Sequence, residues 1–255
     1  MCQYRKTTHN VSFYIDLRRI NFTIFVPMLN AVKFTVAPLS LAFFAYLSFT
    51  QRGVLTYSAF LYAYAMIPLI EFFLKNDERN LSEFQESLAK KNIAYDLVLY
   101  VSVALHLVLL SLFLFSLEDA TLQIYEVVGR VLSMGLVTTF AINLAHELGH
   151  RQTFGEQFLS KLMLLTTLMM HFFIEHNRGH HKNVATFEDP STAREGETVY
   201  AFWFRAIINE YLSAWRLEKK RLEVIKQPNF SLQNEMVQFQ IIQVLFIGLI
   251  YYLFG

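Results

Sequence analysis

The sequence predicts an all-α protein: a polytopic transmembrane helix bundle carrying a histidine-box metal site at its cytoplasmic end. Three observations predict it. Hydrophobic residues make up 54% of the 255 residues and charged residues only 17%, against about 25% charged in an average soluble chain. Several apolar runs approach the ~20 residues that carry a helix across a bilayer. Six of the eight histidines fall between positions 146 and 181. The same composition excludes other classes. So much apolar surface cannot stay hydrated, which rules out disorder. One cysteine, Cys2, cannot make a disulfide framework. A net charge of +1 gives no electrostatic case for nucleic acid.

Taken in order, the apolar runs are Phe34 to Phe49, Val54 to Leu74, Ile93 to Leu117, Val127 to Leu144, the shorter Phe158 to Ile174, and Val237 to Phe254. Lys and Arg accumulate on the cytoplasmic side of membrane proteins. Here the N-terminal segment carries Arg5, Lys6, Arg18 and Arg19, and the first loop only Arg52. The second loop carries Lys75, Arg79, Lys90 and Lys91, and the third has Glu118 and Asp119 with no cation before Arg130. That alternation predicts a cytoplasmic N-terminus, and a fourth span that ends on the cytoplasmic side.

The fourth span ends in His146-Glu147-Leu148-Gly149-His150. Residues i and i+4 share a helix face, so both imidazoles can reach one metal. A second cluster reads Glu175-His176-Asn177-Arg178-Gly179-His180-His181, again with an i, i+4 pair in His176 and His180, and His171 lies just upstream. A lone HExxH is weak; two such boxes together point to a metal site. His106, in mid-span, reads as a hydrogen-bonded packing residue, and His9 as an exposed terminal one. The segment Phe158 to Ile174 constrains the topology. If it crossed the bilayer, His176 would emerge about 30 Å from His150 and the boxes could not share a site. It is therefore expected to lie as an interfacial or re-entrant helix, leaving about five spans.

Imidazole suits zinc, copper, iron and nickel alike. A zinc protease needs HExxH, one more ligand and a general-base glutamate. Five or six imidazoles exceed that need and imply a second metal. With no thiolates, an oxygen-activating iron pair fits better, and a membrane setting suits an apolar substrate.

The first box with Arg151, and the stretch from His171 to His181, resemble the two histidine boxes of the integral-membrane alkane 1-monooxygenases, within the fatty-acid desaturase/hydroxylase superfamily. The likeness continues through Val184 to Ser191, where Phe187 replaces the family's usual proline, then Arg194 to Glu197 and Ala214 to Glu218. The resemblance implies a non-haem di-iron enzyme in the bacterial inner membrane. It would use O2 and electrons from a rubredoxin or ferredoxin to hydroxylate a terminal methyl of an alkane to a primary alcohol. It implies His146, His150, His176, His180 and His181 as iron ligands and His171 as a further candidate, with Glu147 and Glu175 orienting imidazoles. Glu188 and Asp189 read equally as surface or capping residues and as structural residues beside the site. The cations Arg178, Lys182, Arg194, Arg205, Lys219, Lys220 and Arg221 read either as a solvated positive-inside face or as a docking face for an acidic electron carrier.

Against that family the chain is expected to be a single membrane domain, residues 1–255, incomplete at its C-terminus. It would lack a sixth span and the family's later histidines, and so hold one iron or none. The competing expectations are a fatty-acid desaturase or hydroxylase acting on acyl chains, an inactive truncated homologue, and an intramembrane zinc protease.

Overall fold

The computed structural model describes residues 33–74 and 92–255, and all the regular structure in them is helical. Helix α1 covers Val36–Thr50; α2 covers Gly53–Phe73, passing through 3-10, α and π segments. Helix α3 is Ile93–Leu117, α4 is Ile124–Gly149 and α5 is Phe154–Thr166. Helix α6 spans 171–183, α7 is Val199–Val224 and α8 is Glu235–Phe254. Four helices (α2, α3, α4 and α8) are long and apolar enough to cross a membrane, while α1 is apolar but only 15 residues long. These five match the five runs expected to span. The cations at positions 5–19 and 75–91 lie outside the described residues, as does His9.

One end of the bundle is tied by polar contacts between loops. Arg52, after α1, meets Asp119 at 2.8 Å and the Thr121 carbonyl at 3.0 Å. The Gly53 N–H donates to Glu126 at 2.7 Å, and Arg130 donates to the Gln51 and Ser116 carbonyls. Glu126 also closes a capping box with Gln123 at the start of α4. Gly129 lets α2 close on α4, because a Cβ there would lie 2.3 Å from Thr56 Oγ1. The first histidine box sits at the other end of α4, about 30–36 Å from Glu126 at 1.5 Å per residue.

Helices α5 and α6 form a hairpin that runs into the bundle and turns back. α5 begins beside the first histidine box, where Tyr100 donates to Glu156 at 3.1 Å and Arg151 pairs with Asp96 at 3.0 Å. It then runs inward along α4, and Ser160 Oγ donates to the Ala145 carbonyl at 2.6 Å. Its last residue, Thr166, meets His106 Nε2 at 2.9 Å, midway along α3. Leu168 takes a left-handed φ of 57° and reverses the chain. The Met170 N–H, at the turn, donates to Gln243 of α8 at 3.0 Å. The turn is tied to α3 through the Thr166 hydroxyl and His106, and to α8 through Gln243, which takes up a backbone N–H that would otherwise be costly to bury. His106 is thus the hydrogen-bonded packing residue expected from its position. Helix α6 descends from the turn and returns the second box to the first. Buried Leu148, Met163, Leu164, Ile174 and Met236 pack between α4, the hairpin and α8.

Candidate metal centre

His146 projects from the last turn of α4 and His150 caps it, with Leu148 fully buried between them. Helix α6 supplies the second pair through a change of pitch. Residues His176–His180 form a π turn, in which the His181 N–H donates to the His176 carbonyl, an i to i+5 bond. That bond sets His181, not His180, against the first box. Four imidazoles (His146, His150, His176 and His181) offer nitrogens that all lie within 4.8 Å of one another. Three Nε2 atoms converge: His176 to His181 at 3.0 Å, His181 to His150 at 3.2 Å, and His176 to His150 at 3.3 Å.

Nitrogens gathered in this way are arranged as the ligands of one cation would be. Burial, with neighbouring imidazoles adding to it, His146 first, lowers the His176 pKa to about 3. Burial also lowers that of His150, with His146 and His181 adding to the effect. Both rings are neutral at pH 7 and present lone pairs. For metal–nitrogen bonds of ~2.1 Å, neighbouring ligands stand ~3.0 Å apart in an octahedron and ~3.4 Å in a tetrahedron. The observed 3.0–3.3 Å fits one transition-metal ion, while the donor type leaves iron, zinc and copper all chemically suited.

The other predicted residues are placed differently. His180 stacks against His176 but turns its Nδ1 to Asp189 Oδ2 at 3.0 Å. Burial pushes the Asp189 carboxyl up, but bonds from Thr192, the Ser191 N–H and His180 outweigh this and hold it low. His171 is buried against the Tyr211 ring with no hydrogen-bond partner on Nε2. Burial lowers its pKa to about 4. Glu175 is also buried, and its Oε1 accepts from Ser213 at 3.3 Å rather than from an imidazole. Burial raises its pKa to about 7, helped by Glu210 and Asp189. Glu147 is exposed.

Helix α7, which the apolar pattern did not reveal, backs the centre. Gly179 allows the close approach: a Cβ there would lie 2.5 Å from Glu175 Oε1 and 3.0 Å from Leu217. Glu218 is fully buried and accepts from Arg178 at 3.0 Å, from Arg221 and from the Glu235 N–H at 2.8 Å. Arg178 also pairs with Glu235. This network locks α6, α7 and the start of α8 together. It occupies Arg178, and Glu197 occupies Arg205 at 2.6 Å, so neither is free for docking.

Residues 124–255, just over half of the chain, match the family model described as fatty acid desaturase. Alkane 1-monooxygenase 1 of Alcanivorax borkumensis is 34% identical over 192 residues, 75% of this chain and 48% of its own. The alkane 1-monooxygenase of Pseudomonas putida gives the same figures. That of Acinetobacter baylyi is 42% identical over 107 residues, 42% of this chain and 26% of its own. The chain spans about half the length of the first two relatives. With α4, both histidine boxes, α7 and α8 all inside the matched region, the chain belongs to the fatty acid desaturase family.

Proposed function

We propose that the chain carries the metal-binding core of a membrane di-iron monooxygenase that hydroxylates the terminal methyl of an alkane. The reaction consumes RH, O2, two electrons and two protons and yields ROH and water. The observation that carries this reading is the four-histidine cluster at one end of an apolar bundle, in a chain similar to enzymes named alkane 1-monooxygenase. His146, His150, His176 and His181 would hold iron, which when bound supplies the activation of dioxygen. His180 is poised as a further ligand, because its Nδ1–H is taken up by Asp189 and its Nε2 is left as the donor atom. His171 would join further ligands at the second iron that the family resemblance implies. Glu147 and Glu175 would tune the surroundings of these imidazoles.

An apolar cavity of about 480 Å3 between α3 and α8, lined by Leu110, Leu114, Phe246 and Ile250, reaches the hairpin turn at Thr166 and Leu168. Its size and lining suit a hydrocarbon chain. The metal end faces the cytoplasm of a bacterial inner membrane, where a rubredoxin or ferredoxin would deliver the electrons. The whole of residues 1–255 is one membrane domain in this reading.

The family match favours a second reading, in which an acyl chain is desaturated or hydroxylated instead. Product analysis separates the two. The iron-loaded chain, supplied with a ferredoxin, its reductase, a medium-chain n-alkane and 18O2, is expected to release 18O-labelled primary alcohol. A double bond introduced into an acyl chain, or zinc in place of iron with no oxygen consumption, would contradict the proposal.

A further inference from the structure

Helix α7 and the segment after α6 enclose a cleft of about 450 Å3. Arg178, Lys182, Arg194, Arg205, Arg216 and Lys220 line it, against a single carboxylate, Glu188. Arg178 and Arg205 are held by Glu218, Glu235 and Glu197. Among the described residues Lys182, Arg194 and Lys220 have no ion-pair partner within 4.0 Å, and Arg216 donates only to the Leu212 carbonyl. Four cations therefore converge with spare donors on one concavity.

The cleft is at the level where a span enters the membrane, because Glu218 of α7 accepts from the backbone of Glu235, the first residue of α8. The other shoulder of α7 leaves Tyr200, Trp203, Phe204, Ile207 and Ile208 exposed, Phe204 by 75%. An aromatic and aliphatic stripe beside a cationic one is the composition of a helix lying in the plane of a membrane surface. Basic pockets at that level recognise anionic headgroups.

We propose that this cleft holds the phosphate of an anionic phospholipid, while the apolar shoulder of α7 lies among its acyl chains. One amphiphile satisfies both surfaces. An acidic protein would satisfy the charge alone and leave the adjoining apolar shoulder uncovered.

The test uses the full chain with Trp215→Phe, which leaves Trp203 as the single tryptophan, in nanodiscs containing phospholipid brominated on its acyl chains. Brominated phosphatidylglycerol is expected to quench Trp203 more than brominated phosphatidylcholine at equal mole fraction. Arg194→Gln with Arg216→Gln should cut that preference about 25-fold, at about five-fold per cation. The charge-matched pair Lys219→Gln and Lys226→Gln should leave it intact, and cobalt absorption of the histidine centre checks folding in both. Equal quenching by the two lipids, no quenching by either, or a preference that survives loss of Arg194 and Arg216 would overturn the proposal. So would its abolition by millimolar inorganic phosphate, which assigns the cleft to free phosphate. If those two arginines control binding of an acidic ferredoxin and not the lipid preference, the cleft is a protein-docking site and the proposal fails.

Discussion

The Nε2 atoms of His176 and His181, five residues apart, stand 3.0 Å from each other, while His180 bonds Asp189 instead. A continuous α-helix would have favoured the pair four apart; the π turn at 176–180 reverses the choice. His181→Ala should therefore abolish the tightest metal equivalent. His180→Ala should retain it and lose only further metal. Cobalt titration of the metal-free protein, followed by absorption, distinguishes the two variants.

Asp189 is the anchor for His180. Asp189→Asn keeps the volume but removes the carboxylate that takes up the Nδ1 proton and accepts from Thr192 and the Ser191 N–H. Loss of such an orienting carboxylate costs roughly 10–100-fold in metal affinity. That loss is expected in the metal bound through His180, measured by competition with a chelator, with the four-histidine equivalent retained.

Glu175 gives the metal-free protein a pH signature. Its pKa is raised to about 7 from 4.5, so the folded state binds the proton more tightly than the unfolded one. The cost of the buried charge is complete above pH 7 and is relieved as pH falls from 7 towards 4.5. His176 and His171, lowered to about 3 and about 4 from 6.5, act in the opposite sense. They cost nothing above pH 6.5 and destabilise increasingly below it. Glu175→Gln should stabilise the metal-free fold at pH 8 by at most about 3 kcal/mol and have little effect near pH 4.5. Thermal unfolding across that range checks it; equal stabilisation at both pH values would disprove the assignment.

The hairpin turn depends on the bond between Thr166 and His106. Thr166→Val leaves a buried imidazole nitrogen without this partner and should cost about 1–3 kcal/mol. His106→Phe combined with Thr166→Val should cost less than the sum of the two single changes, because no polar atom is then left stranded. Denaturation midpoints in detergent measure this coupling.

Much of the molecule was legible in the chain. Apolar runs marked the spans closely, Ile93–Leu117 to the residue, because the bilayer imposes a length and a polarity on every spanning helix. That the segment Phe158 to Ile174 returns the second box to the first followed from a distance argument, since two boxes sharing one metal cannot be separated by a membrane. Its break into two helices at Leu168 did not. Helix α7 was not legible, because its apolar residues are interleaved with Arg205, Glu210 and Arg216 and form no continuous run. Nor was the separation of His180 from the four clustered imidazoles, since i, i+4 spacing presumes α pitch and a π turn is a property of the backbone bonds. The network of Arg178, Glu218, Arg221 and Glu235 joins residues up to 57 apart, and no local spacing announces it.

Iron held by histidine nitrogens is the central claim, and X-ray absorption at the iron edge of the anaerobically loaded chain tests it most directly. The account predicts an imidazole-dominated shell at ~2.1 Å that is present in the unsubstituted chain and lost in a His150→Ala, His176→Ala variant. Iron in an all-oxygen shell, or a spectrum unchanged by that double substitution, would contradict it.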